Sequence, residues 1–106
     1  MRGGPMQIIN DHAELNKSKA GAAFLLFGGR DCGVCQTLKP RIEAMLTEEF
    51  PKLSGYYVDC HDSGSVVCAQ ERVFSLPLVQ VWFDGQKFAE FGRVFSMGQL
   101  REAIAR

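Results

Sequence analysis

The sequence predicts an α/β fold in which a central mixed β-sheet is flanked by helices on both faces, and three observations predict it. A continuous apolar run from Ala22 to Phe27, bounded by Gly21 and by Gly28-Gly29, has the pattern of a strand buried on both sides. Segments of strand and helix periodicity alternate around that run. The chain then closes with two strands joined at Asp84-Gly85 and a final amphipathic helix.

The elements follow in order. Met6 to Ile9 is a short apolar stretch that suits a first strand. Asn10-Asp11-His12-Ala13-Glu14 supplies a cap and acidic residues that favour a helix start, and this helix runs to about Lys19. The run Ala22 to Phe27 is the central strand. Beyond Arg30-Asp31, the residues Leu38, Ile42, Met45, Leu46 and Phe50 recur at helical spacing, with Lys39, Arg41, Glu43, Glu48 and Glu49 opposite. Pro40 falls inside that helix, where it removes one backbone bond and bends the axis. Gly55 to Asp59 has the aromatic and β-branched content of another strand, and His61 to Arg72 reads as a short helix or loop. Pro77 to Phe83 and Lys87 to Phe91 should pair antiparallel across Asp84-Gly85. Ser96 and Gln99 have capping-box spacing ahead of an apolar stripe at Met97, Leu100 and Ile104.

A chain of 106 residues suits one domain, expected to span residues 1–106. Twelve basic residues balance twelve acidic ones, so no long-range field draws in nucleic acid or an anionic membrane. No window reaches the roughly eighteen consecutive apolar residues of a membrane span, and Met1 to Asn10 lacks the apolar core of a secretory signal. The expectation is therefore a cytoplasmic monomer, and there four cysteines favour chemistry over stapling.

Cys32-Gly33-Val34-Cys35 places two thiols at the first turn of a predicted helix. Free backbone N–H groups and the positive end of the helix dipole stabilise a thiolate on Cys32, the expected nucleophile. Cys35, one turn further in, is placed to resolve a mixed disulfide. Gly33 lets a partner backbone approach, and Val34 offers an apolar contact beside the sulfur. Half of a zinc site and an inert pair are the plainer alternatives. Zinc would need two more ligands, and only Cys60, His61 and Cys68 are nearby candidates, at a spacing that does not form a second knuckle.

Strand, four-residue loop, Cys-Gly-Val-Cys, helix, and Pro40 five residues later together resemble the thioredoxin family. The resemblance extends to Val58-Asp59 at a strand end, Leu76-Pro77, the Asp84-Gly85 turn, Gly92 and the closing helix from Ser96 to Ala105. It implies a thioredoxin fold, a cis Leu76-Pro77 bond opposite the dithiol, and a docking surface of Gly33, Val34, Leu76, Pro77 and Gly92. It also implies exchange with disulfides of protein substrates, no bound cofactor, and electrons from a flavin-dependent reductase or a low-molecular-weight thiol. The chain departs from the family pattern at Asp31, where Trp is usual, and at Val34, where Pro is usual. The family's buried acid aligns with Leu26 and its lysine partner near Gly55, so that proton relay is missing.

Other residues carry plainer readings. Cys60 and Cys68 are by default packed thiols, with a secondary disulfide between them as the alternative. His12 and His61 read as solvent-facing, Gly28-Gly29 as a flexible lead-in to the dithiol, and Trp82 with Phe83, Phe88, Phe91 and Phe95 as core. Two functions follow: a protein thiol–disulfide oxidoreductase, or an interaction or chaperone module whose dithiol is non-catalytic or a redox sensor.

Overall fold

Nine elements follow one another along residues 6–105, the part of the chain that the computed structural model describes. Residues 1–5 and 106 of the expected domain lie outside it. The order is β1 (Gln7–Ile8), α1 (His12–Lys19), β2 (Ala22–Gly28), α2 (Gly33–Glu49), β3 (Ser54–Asp59), α3 (Ser65–Gln70), β4 (Leu78–Phe83), β5 (Gln86–Gly92) and α4 (Met97–Ala105). The strands form one sheet in the order β1-β3-β2-β4-β5. The pairs β1–β3 and β3–β2 are parallel, and β2–β4 and β4–β5 are antiparallel. Among the described residues no helix is long and apolar enough to cross a membrane.

Period-two alternation along β2 divides the core into two layers. Phe24 and Leu26 face one layer, where they meet Leu38, Ile42, Met45 and Leu46 of α2 and Leu100 of α4. Leu25 and Phe27 face the other, with Leu15 of α1 and Val67 and Cys68 of α3. The uniform apolarity of β2 thus has its cause, since both of its faces are covered. Local caps fix the helix starts: Asp11 Oδ1 accepts the Glu14 N–H at 2.8 Å, and Ser96 and Gln99 exchange reciprocal bonds of 2.8 and 3.0 Å.

Several expectations are corrected. The fourth strand starts at Leu78 rather than Pro77, which has no N–H to give a ladder. The segment His61 to Arg72 does hold a short helix as expected, six residues long. Gly28 and Gly29 are a tight fit rather than a flexible lead-in. A Cβ at Gly28 would stand 2.9 Å from the Tyr57 hydroxyl and 3.0 Å from the Cys35 Cβ, and one at Gly29 would overlap the His61 ring. The aromatic cluster is split by the sheet: Phe83, Phe91 and Phe95 pack on the α2/α4 side and Trp82 on the other. Phe88 is exposed, because Val81 opposes Ala89 and Trp82 opposes Lys87, which leaves Phe88 as the extra residue of a bulge.

Candidate active site

The sheet register gathers the site at one end of the sheet. Gly28 pairs with Asp59, Phe27 with Leu78, and Leu78 with Gly92, so the loops that leave β2 and β3, enter β4 and follow β5 share one rim. The loop after β2 is tied down at several points. The Asp59 carboxylate accepts the N–H groups of Arg30 at 3.2 Å and His61 at 3.0 Å, and the Cys32 N–H donates to the Gly29 carbonyl at 3.0 Å. The Gln36 side-chain amide donates to that same carbonyl at 3.0 Å.

Cys32 is the N-cap of α2, with extended backbone, and its sulfur accepts the Cys35 N–H at 3.3 Å. One of the orphan donors of the helix start is thus spent on the sulfur itself. Cys32 is half-buried, Cys35 is fully buried, and the two form a disulfide with Cα atoms 5.2 Å apart. A half-buried cysteine in front of a fully buried one is an arrangement that suits attack followed by resolution. Arg30 is turned away from this pair and bonds the Asp62 carboxylate, while Asp31 projects into solvent beside His61.

Of the expected docking residues, Gly33, Val34 and Gly92 are exposed, Leu76 is half-buried and Pro77 is buried. A Cβ at Gly33 would meet nothing within 4 Å. The Leu76–Pro77 peptide bond is cis, and among the described residues the Leu76 peptide group takes no backbone partner. The Pro77 carbonyl accepts the N–H of Arg93 at 2.7 Å, which joins the loops before β4 and after β5.

The structure pairs Cys60 and Cys68 as a disulfide with Cα atoms 5.5 Å apart, where the default reading expected free thiols. Cys60 follows β3 and Cys68 lies in α3, both against the layer built with α1 and α3. His61 is exposed as expected, yet its Nδ1 accepts the Asp31 N–H at 3.2 Å. His12 is half-buried and bridges α1 to α3 through the side chains of Gln70 and Glu71. Among the described residues no group of three or more His, Cys, Asp or Glu side chains is arranged to hold a metal ion.

Tyr57 is the site residue that the sequence reading missed. Its hydroxyl lies under Gly28 beside Cys35, receives the Gln36 amide at 3.4 Å, and belongs to a ring covered by Lys39. Burial, and secondarily the charge of Asp59, push its pKa up, so it stays a neutral hydroxyl below Cys35. Alternation along β3 was the available signal, because Tyr57 shares a face with Gly55 and points toward α2. The position of the missing acid, Leu26, is fully buried in the apolar layer, and a Cβ at Gly55 would meet Leu46 and Met6.

Comparison with known proteins agrees with this geometry. The family model described as thioredoxin matches residues 9–106. The curated protein named thioredoxin-like 3-2, chloroplastic, from Arabidopsis thaliana, is 31% identical over 84 residues, which are 79% of this chain and 42% of that protein. The chain therefore spans less than half the length of that relative. Among solved structures, Fasciola hepatica thioredoxin superposes with a TM-score of 0.79 at 27% identity, covering 94% of this chain and 97% of that one. Thioredoxin O2 from Arabidopsis thaliana in its oxidized state, at 23% identity and a TM-score of 0.78 over 94% and 91% of the two chains, shares the fold. The matched family and the cysteine pair support thiol–disulfide oxidoreductase chemistry in general, and this chain belongs to the thioredoxin family.

Proposed function

We propose that this chain reduces or exchanges disulfides in protein substrates, with Cys32 as nucleophile and Cys35 as resolving thiol. The observation that carries the reading is the half-buried Cys32, its sulfur held at the start of α2, with fully buried Cys35 one turn behind it. In the reduced protein the Cys32 thiolate attacks a substrate disulfide, forming a Cys32–substrate bond and releasing one substrate thiol after protonation. Cys35 then gives up its proton and attacks the Cys32 sulfur. The second substrate thiol leaves and the Cys32–Cys35 disulfide remains. Two electrons and two protons have passed to the substrate.

Docking uses the exposed Val34 side chain, the open backbone at Gly33 and Gly92, and the unpaired Leu76 peptide group, which can take an incoming strand. Pro77 contributes by placing Leu76, since its own side chain is buried. A flavin-dependent reductase or a low-molecular-weight thiol regenerates the dithiol, no bound cofactor takes part, and the protein works as a cytoplasmic monomer.

The test is turnover of a protein disulfide with dithiothreitol as electron source. The Cys32→Ser variant should fall to the rate of the reductant alone, and pre-reduced Cys35→Ser, mixed with substrate after the reductant is removed, should accumulate a mixed disulfide, visible as a mass increase that added dithiothreitol reverses. Equal turnover by wild type and Cys32→Ser would sink the enzymatic reading in favour of an interaction module.

A further inference from the structure

Next to the dithiol, between α2 and the loop that follows β5, lies a groove of about 750 Å³. Its α2 wall carries Val34, Leu38 and Arg41, which share a helix face by their spacing, and its other wall carries Arg93, Val94 and Phe95. Val34 and Val94 are 59% and 91% exposed, so the groove offers apolar contact to an incoming chain. Among the described residues neither Arg41 nor Arg93 forms an ion pair, and no carboxylate lines the groove.

Arg93 is held in place by its backbone. It adopts φ 60°, a left-handed conformation that residues other than glycine take rarely, and its N–H is bonded to Pro77 at 2.7 Å. The acids near the dithiol lie outside the groove: Asp62 pairs with Arg30, Asp59 holds the loop N–H groups, and Asp31 projects into solvent on the His61 side. In a chain of zero net charge, this groove is therefore a local, uncompensated positive site with an apolar floor.

Resting on the exchange reading above, we propose that Arg41 and Arg93 select substrate segments whose disulfide is flanked by acidic residues. An extended segment lying on Val34 and Val94 would bring its neighbouring side chains between the two guanidinium groups. Exposed ion pairs are individually weak and are screened over about 10 Å at 0.1 M salt, so the selection is modest and salt-sensitive.

Three disulfide-bridged peptides that differ only in flanking Glu, Gln or Lys test this, with initial rates driven by dithiothreitol. At low salt the wild type should turn over the Glu peptide about three- to tenfold faster than the Lys peptide, a ratio within the span that two exposed ion pairs provide. The ratio should shrink toward one at high salt, and the double variant Arg41→Glu with Arg93→Glu should reverse it. Each ratio is taken within one protein, so a partial loss of folding cancels. Equal rates for the Glu and Lys peptides in wild type, or a double variant that keeps the wild-type order, would overturn the proposal. Failure to reduce even the Gln peptide defeats the exchange reading. The charge preference is then judged from peptide affinity for the Cys32→Ser, Cys35→Ser protein, where equal affinity for the Glu and Lys peptides overturns it and tighter binding of the Glu peptide supports it.

Discussion

The Tyr57 hydroxyl and Cys35 both press against Gly28, and this contact links a strand residue to the chemistry of the helix above it. Burial raises the Tyr57 pKa above its ordinary value of 10.0. A group whose pKa is raised on folding contributes stability that is complete below the unfolded pKa and is lost as pH rises through the folded one. Wild type should therefore lose stability above about pH 10, and Tyr57→Phe should lose less over the same range. Urea midpoints of both proteins between pH 8 and 11 measure this, and parallel curves would refute it. At neutral pH the variant should cost about 1 kcal/mol through the lost hydrogen bond with Gln36. Cys32 and Cys35 were legible in the sequence because the apolar run before them and the helical periodicity after them place the pair at a helix start. Tyr57 was not, because an aromatic in a strand reveals its face but neither its depth nor the side chain that it meets.

The hairpin of β4 and β5 carries a polar chain that its sequence conceals. The Trp82 indole N–H donates to Gln80 at 2.9 Å, the Gln80 amide donates to Glu90 at 3.1 Å, and the Lys87 ammonium donates to Glu90 at 2.8 Å. The bond from Lys87 is the main cause that lowers the Glu90 pKa below 4.5. The sign is opposite to that of Tyr57: the contribution is present above pH 4.5 and is lost as pH falls through the lowered value. Since the Glu90 side chain is 43% exposed, solvent holds the effect below about 1 kcal/mol. Glu90→Gln should accordingly flatten the acid limb of stability slightly, seen as a smaller drop in urea midpoint between pH 7 and pH 3 at low salt. The turn itself was legible, because Asp84 and Gly85 both take positive φ, as a two-residue hairpin demands. The bulge at Phe88 was not, and with it went the register that aligns Gln80 with Glu90.

For the whole molecule, the sheet separates two apolar layers that only together bury β2. Phe24 anchors one and Phe27 the other, each fully buried. Replacing either with alanine should cost about 3–5 kcal/mol, a large part of the roughly 5–15 kcal/mol that holds a domain together. Comparable falls in urea midpoint for Phe24→Ala and Phe27→Ala are expected, and a small fall for one would mean that its layer is dispensable. The sequence carried this layering because a strand apolar at every position needs cover on both sides. It did not reveal the strand order, since β1 contributes two residues to the sheet and its pairing with β3 is a long-range choice. The margins of the sheet have a further consequence. On one side β1, two residues long among the described residues, offers little template for another strand, and on the other β5 is interrupted at Phe88 and charged at Lys87 and Glu90. Such margins disfavour edge-to-edge polymerisation of a molecule that leaves Val34, Val66 and Val94 exposed.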